Sequence, residues 1–277
     1  MVTKRLSAKS GLKVEFIGYV AAIVMGLSLG LIGGGGSILT VPILVYLFSQ
    51  NPLDATTGSL FVVGTTALAG ALSNALKKNI DFKTAVLFSV PSFAGVFVAR
   101  HYILPSLPDV IYDGQGIILT KALLVMSAFA ILMVLAARAM IRSGGDSAST
   151  PSPKANLATI GGNGFFVGVA TGFVGAGGGF LIIPALVILL KLPMSLAVGT
   201  SLAIIAANSI FGFLISVNAQ PLNWQLLVVI AGLGVVGIFV GQAFRKLVKE
   251  SVLKKGFGYF VLVVGTLVLI DQLAKLS

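Results

Sequence analysis

The chain has no cysteine, which rules out disulfides, thiolate metal sites and redox thiols. It has one histidine, His101, so a multi-histidine metal site is excluded as well. Charge is the next scarcity. Only 10% of residues are charged, against about 25% in a soluble domain. So few charges cannot cover a surface facing water. The solvent these residues fit is lipid.

What fills the chain instead is apolar: 57% of residues are hydrophobic and the mean hydropathy is +1.05. The apolar residues form long runs at 16–32, 85–99, 117–137, 157–174, 226–240 and 257–270, in which the one Asp, Glu, Lys, Arg or His is Lys121. Several approach the roughly 20 residues that cross a hydrocarbon core as a helix. A helix satisfies its own backbone hydrogen bonds in lipid. The runs do not alternate, so strands of a β-barrel are excluded. An all-α integral membrane fold is therefore expected.

The net charge of +11 does not point to nucleic acid. The basic residues lie between the apolar runs, as at Lys77, Lys78 and Lys83, or at Arg245, Lys246 and Lys249. There they set topology and meet anionic headgroups. The N-terminal run follows a basic segment, as in a signal peptide, but it is long for one and has a mid-chain counterpart. It reads as a retained membrane element.

That counterpart belongs to an internal repeat. Gly30-Leu-Ile-Gly33-Gly34-Gly35-Gly36-Ser37-Ile-Leu-Thr-Val-Pro42 matches Gly172-Phe-Val-Gly175-Ala176-Gly177-Gly178-Gly179-Phe-Leu-Ile-Ile-Pro184 at an offset of 142 residues. Gly26 pairs with Gly168 at the same offset. Pro52 and Gly58 pair with Pro193 and Gly199 at 141, and the offset then returns to 142 for Thr66 with Asn208, Gly70 with Gly212, Asp81-Phe82 with Asn223-Trp224, and Gly95 with Gly237. The reading divides the chain into a basic tail (1–13), a first transmembrane repeat (14–141), a Ser/Gly/Pro-rich flexible linker (142–156) and a second repeat (157–277).

Each half is expected to hold one unusual element, at 14–48 and 157–190, followed by three ordinary spans. A straight helix of that length would measure about 52 Å, more than the membrane is thick. The glycine run breaks it. It is therefore either a broken span or a hairpin that turns back. A single crossing makes the halves parallel repeats; a hairpin makes them inverted. Counting Lys and Arg does not separate the two, and analogy with transporters whose broken helices meet at a midplane site favours inversion.

No Asp, Glu, Lys or Arg falls in the middle of a run; Arg100 is read as lying near a span end, as a vestibule charge or a snorkelling side chain. The interior offers glycines and small hydroxyls. Gly33, Gly34, Gly35, Gly36 and Ser37, with Gly175, Ala176, Gly177, Gly178 and Gly179, expose backbone N–H groups ahead of a short helix, which favours an anion. Thr57, Ser59 and Thr66 in the first half, and Thr200, Ser201 and Asn208 in the second, add side-chain donors, with Thr56, Thr65 and Ser209 beside them. The alternative role for the hydroxyls is a bond to the backbone one turn earlier. The spaced pairs Gly26/Gly30, Gly168/Gly172 and Gly237/Gly241 read as helix-packing contacts. Asp81 reads as a loop or cap residue, with gating as the alternative.

These residues resemble the TauE/SafE family of sulfite exporters. The resemblance rests on the doubled glycine motif, on Pro193 with Gly199-Thr200-Ser201, and on the Asp81-Phe82/Asn223-Trp224 pair. It covers nearly the whole chain outside the tail and linker. Gly58-Ser59-Leu60 departs from Gly199-Thr200-Ser201. The family implies export of sulfite, organosulfonates or related small anions across a bacterial inner membrane. The expectation is a secondary carrier with no cofactor and no catalytic role. Its partners are a small anion and the lipid bilayer; homo-oligomerisation stays open and nucleic acid is excluded. An anion channel, and a scaffold whose glycines only pack helices, are the alternatives.

Overall fold

The computed structural model describes residues 2–114, 117–142, 157–175, 177–189, 192–218, 221–245, 247 and 250–275. The expected linker falls almost wholly outside them. Ten helices follow one another among the described residues. The first half has α1 (Val2–Ile32), α2 (Ser37–Leu47), α3 (Pro52–Leu76), α4 (Phe82–Ser106) and α5 (Lys121–Arg142). The second has α6 (Leu157–Val174), α7 (179–189), α8 (Met194–Ser216), α9 (Trp224–Phe244) and α10 (Glu250–Ala274). Six described segments are long and apolar enough to cross a membrane: Val14–Ile32, Pro52–Leu76, Phe82–Ser106, Lys121–Ala139, Ser195–Ser216 and Trp224–Phe244. Large apolar side chains such as Val86, Val90, Val236, Phe239 and Leu267 lie on the outside, while Ser37, Thr40, Ser59, Thr66, Thr200, Ser201 and Asn208 are buried. A lipid-facing exterior around a polar interior is that of a multi-pass membrane protein.

Two expected boundaries move. The first helix starts at Val2 rather than near residue 14. The run at 117 begins as a strand: Ile117–Thr120 pairs antiparallel with Val110–Gly114 before α5 starts at Lys121. Its β-branched Ile117 and Ile118 face Gly114 and Asp113 across the ladder, and β-branched residues favour a strand here over the first turn of a helix.

The unusual element of the first half is a hairpin. Gly33 takes φ +85°, the chain reverses, and α2 runs back along α1 until the Phe48 ring lies 5.2 Å from that of Tyr19. A Cβ at Gly18 would meet the Phe48 ring at 2.5 Å, so glycine makes room for the returning arm. The outward and returning arms each cover about 15 residues. In the second half Gly175 makes the corresponding turn at φ +76°. Gly33 N–H donates to Leu29 O at 2.7 Å, and Gly175 N–H to Thr171 O at 2.8 Å. Past Pro42 and past Pro184 the returning arm widens into a π turn, at Ile43–Leu47 and Ala185–Leu189. Proline has no N–H to complete the ordinary ladder, so a looser turn follows it.

Glycine contacts set the packing. A Cβ at Gly26 would fall 2.1 Å from Gly234 O, and one at Gly30 2.2 Å from Ile238 O, so α1 and α9 touch backbone to backbone and run parallel. Gly168 sits likewise against Ser92 O (2.1 Å) and Gly172 against Val96 O (2.9 Å), so α6 and α4 also run parallel. This is close packing through small residues. At the centre α3 meets α8 with Phe61 on Phe213 (5.4 Å between rings) and Gly64 on Ile210, in antiparallel sense. α3 runs with α9, as Gly58 meets Leu227 and Gly70 meets Ile238; α8 runs with α4, as Asn208 meets Ser92 and Gly212 meets Val96. So α1, α3 and α9 point one way, and α4, α6 and α8 the other.

Candidate functional site

The two glycine breaks come together. A Cβ at Gly34 would lie 2.2 Å from Gly179 O, and one at Gly179 2.7 Å from Gly34 O. Backbone therefore meets backbone where the hairpins pass, with no room for a side chain between them.

Each hairpin tip is held by a serine of the opposite half. Ser201 Oγ donates to Gly33 O at 2.8 Å, and Ser59 Oγ donates to Gly175 O. Each hydroxyl has one proton and shares it with the carbonyl three residues back in its own helix, Val198 O for Ser201 and Thr56 O for Ser59, both at 2.9 Å. The bond to the backbone one turn earlier is therefore present, and the second acceptor is a glycine carbonyl of the opposite half. The contacts also correct the alignment. Ser59 stands opposite Ser201, 142 residues apart, and the tips rest on Thr56 and Val198 at the same separation. The apparent slip to 141 came from aligning the prolines: Pro52 opens α3, whereas Pro193 precedes the first residue of α8.

Other expected residues divide by role. Ser37 Oγ donates to Gly34 O at 2.8 Å, so it closes the first tip on itself. Gly36 packs against Met25 O and Leu29, which leaves no space for a ligand there; Gly35 is buried. Thr200 Oγ1 accepts the Asp81 N–H at 3.0 Å and so fastens the start of α4 to α8. Asn208 Nδ2 donates to Ser92 Oγ at 2.7 Å, while its Oδ1 has no partner. Thr66 is fully buried against Gly234 with an unpartnered hydroxyl. Ala176 lies outside the described residues.

The second tip is the more open in chemistry. Gly177 and Gly178 follow Gly175 with φ +66° and +67°. A Cβ at Gly177 would sit 2.8 Å from Ser209 Oγ, and one at Gly178 2.0 Å from Thr171 Oγ1; both hydroxyls are buried and unpartnered. Gly178 packs side chain-free against Thr171, a residue the sequence reading did not select. The carbonyls of Gly33, Gly34 and Gly175, by contrast, are already taken by serine hydroxyls. A site whose carbonyl acceptors are engaged and whose hydroxyls are free is built to donate, which suits an anion better than a cation.

Arg100 is the main correction. It is six residues from the end of α4, yet it is only 7% exposed. The π turn Val98–Ile103 carries it inward, while the next residue, His101, stacks outside on Phe97 at 4.9 Å. Its Nη1 donates to Thr57 Oγ1 at 3.1 Å and its Nη2 to Thr56 O at 3.3 Å. Thr56 O is the same carbonyl against which Gly175 turns, 2.3 Å from where a Cβ would be. The guanidinium thus stands beside the second tip. No hydropathy argument marks this, because span-end position alone does not say which way the side chain points.

At the edge of the site Asp81 caps α4. Its carboxylate accepts from the Thr84 hydroxyl at 2.7 Å and the Thr84 N–H at 3.2 Å. The Thr84 hydroxyl bond outweighs the burial penalty and holds the carboxyl below its ordinary pKa. Asn223 caps α9 in the same way, accepting Leu226 N–H at 3.2 Å. Both are caps, as the loop reading of Asp81 expected. A separate apolar cavity of about 510 Å³ lies away from this chemistry, between α1, α2 and α10, lined by residues such as Val20, Val24, Pro42, Tyr46 and Leu267.

Comparison with known proteins agrees with this architecture. A "Probable membrane transporter protein" of Xylella fastidiosa is 29% identical over 262 residues, covering 91% of this chain and 94% of its own length. "Probable membrane transporter protein YunE" of Bacillus subtilis is 30% identical over 220 residues, covering 74% and 81% respectively. YdhB of the same organism, also named a probable membrane transporter protein, is 27% identical over 250 residues, covering 89% and 96%. The family model described as "Sulfite exporter TauE/SafE" matches residues 19–268, and the chain belongs to that family of membrane transporters.

Proposed function

We propose that this transporter is a secondary carrier that moves small sulfur-containing anions, such as sulfite or an organosulfonate, outward across a bacterial inner membrane. The halves act as inverted repeats that rock about the junction of their two hairpins. The observation that carries the reading is the pair of reciprocal serine latches. Each half closes the other's hairpin tip, Ser201 on Gly33 and Ser59 on Gly175, and so spends the tip carbonyls that would otherwise attract a cation. The opposite directions of α1 and α6, α3 and α8, and α4 and α9 support inversion. In inverted-repeat carriers a midplane site is exposed alternately as one half rocks against the other. Breaking one latch and keeping the other gives such a carrier two distinct closed ends.

Among the described residues no Asp or Glu is buried. A proton relay through the interior therefore has no carboxylate to use, and the membrane potential is the natural drive. Negative inside, it favours anion exit by about 2.3 kcal/mol per charge per 100 mV. The test is flux of labelled sulfite from proteoliposomes, with the potential set by a potassium gradient and ionophore. Saturable exit that rises with the potential and is indifferent to a pH gradient at clamped potential is expected. Exit that follows the pH gradient alone would overturn the uncoupled reading. Unitary currents in a planar bilayer would replace the carrier with a channel.

A further inference from the structure

We infer that Arg100 is the fixed positive charge that pairs with the transported anion, on the Gly175 side of the junction only. The inference rests on the anion reading above and adds to it a residue and an asymmetry.

A guanidinium taken out of water needs a compensating charge, and its loss of hydration is costly without one. Arg100 is buried, yet both its hydrogen-bond partners are neutral, the Thr57 hydroxyl and the Thr56 carbonyl. Its Nε has no partner. Among the described residues no carboxylate pairs with Arg100; Asp271, for one, is exposed and pairs with Lys275. The charge on Arg100 thus goes unanswered among the described residues. Ionisable groups inside a membrane protein mark ligand paths for this reason.

A purely structural tie between helices would not need the charge. The corresponding position on α9 is Gln242, whose Nε2 donates to Gly70 O at 3.1 Å and so fastens α9 to α3 without any charge. What Arg100 has beyond that tie is a cation with an unpartnered Nε–H. It also has the right neighbours. Thr57 accepts from Nη1, which turns its own hydroxyl proton away from the guanidinium, and Gly175 turns on the carbonyl that Nη2 holds. The Nε–H and the Thr57 O–H are donors without acceptors among the described residues. A charged Nε–H with an adjacent hydroxyl offers two donors to the oxygens of a sulfite or sulfonate group, one of them charge-assisted. The site is therefore not the uncharged cage that the scarcity of intramembrane charge implied. It has one charged end and one neutral end, so an anion held at Arg100 has a lower-affinity exit on the Gln242 side.

The experiment is a sulfite titration of the thermal midpoint of purified protein in detergent, with wild type, Arg100→Lys, Arg100→Gln and Thr57→Val, and acetate in parallel. Wild type is expected to be stabilised by sulfite. Arg100→Gln is expected to raise the half-saturating concentration by about tenfold or more, the worth of a charge-assisted hydrogen bond. Arg100→Lys, which keeps the charge and loses the fork, should fall between them, and Thr57→Val should lose about fivefold by the same principle. Arg100→Gln titrating within twofold of wild type overturns the inference and leaves the anion reading standing. Wild type that no anion in the set stabilises overturns the anion reading itself, and this inference with it. If Arg100→Gln does not fold, Arg100→Lys and Thr57→Val decide: unchanged titration in both counts against the pairing.

Discussion

The first and second hairpins have the same frame and different chemistry. Both turn on a left-handed glycine, both widen into a π turn after proline, and both are latched by a serine from the other half. The first then closes on itself: Ser37 bonds back to Gly34 O, and Gly36 packs against Met25. The second continues through two further left-handed glycines, faces the unpartnered hydroxyls of Thr171 and Ser209, and has Arg100 at its tip. The frame is what reversal of the chain inside a membrane requires. The chemistry is free to differ because the frame does not depend on it. For the carrier proposed above, that division would leave one strong and one weak end, since two equally strong binding ends would leave the cargo no way out.

The largest expected effect breaks the frame, and breaks the two tips unequally. Gly175→Ala combines a left-handed φ that alanine tolerates poorly with a Cβ 2.3 Å from the Thr56 carbonyl, a backbone atom that cannot step aside. Strain and overpacking together should cost about 2–6 kcal/mol. Gly34→Ala meets the Gly179 carbonyl at 2.2 Å but has no left-handed φ, so it should cost less. Gly162→Ala meets nothing within 4 Å and should cost nothing. Thermal midpoints by tryptophan fluorescence in detergent would order the three. A Gly175→Ala midpoint equal to that of Gly162→Ala would mean the second tip is not packed as described.

Much of this comparison was readable in the sequence, and the reason is physical. Four consecutive glycines in an apolar run cannot continue a helix, and a run too short to cross beyond them leaves only a break or a reversal. The choice between those depended on whether residue 48 returns to residue 18, a contact that no local pattern encodes. Arg100 was legible as a charge but not as a buried one. Its inward turn comes from a single π turn at Val98–Ile103, and hydropathy averages over that scale. The glycine motifs recur in the sequence at 142 residues, the separation of the tip-holding serines Ser59 and Ser201, whereas Pro52 and Pro193 stand at adjacent positions of a helix start. Thr200 and Asn208 were read as donors to a ligand; what the sequence did not announce is that Thr200 accepts the Asp81 N–H and Asn208 donates to Ser92. A hydroxyl or amide on the buried face of a helix has many possible partners, and composition does not choose among them.

Smaller effects come from the latches. Ser59→Ala and Ser201→Ala each leave one buried glycine carbonyl without its donor from the opposite half. Each should cost about 1–3 kcal/mol, the penalty for an orphaned buried acceptor. Equal losses are expected, because the two bonds are made at corresponding positions and each serine shares its proton with the carbonyl three residues back in its own helix. Unequal losses, with one variant indistinguishable from wild type, would show that only one hairpin is latched. Flux would separate the ends further: loss of the Ser59 latch frees the tip beside Arg100, so sulfite affinity should change more in Ser59→Ala than in Ser201→Ala.

The smallest effect compares the caps. Asp81 and Asn223 occupy corresponding positions, and both accept N–H groups at the start of a helix, α4 and α9. Only Asp81 titrates. Its carboxyl is held below the ordinary value by the Thr84 hydroxyl, so the folded protein binds the proton less readily than the unfolded chain. The stability this provides is complete above the unfolded carboxyl pKa of about 3.9 and is lost as pH falls through the lower folded value. Asp81→Ala should cost about 1 kcal/mol at neutral pH, the usual worth of a cap, and should remove that part of the acid sensitivity. Asn223→Ala should cost about the same at neutral pH. Because asparagine carries no titrating group, that loss should persist unchanged into acid, whereas the Asp81→Ala loss should shrink. Thermal midpoints of the two variants between pH 7 and the acid limit of the detergent would show the curves meeting wild type differently. Parallel curves for both would mean that the Asp81 carboxylate does not gain its stability from Thr84, and that the two caps, unlike the two hairpin tips, are chemically equivalent.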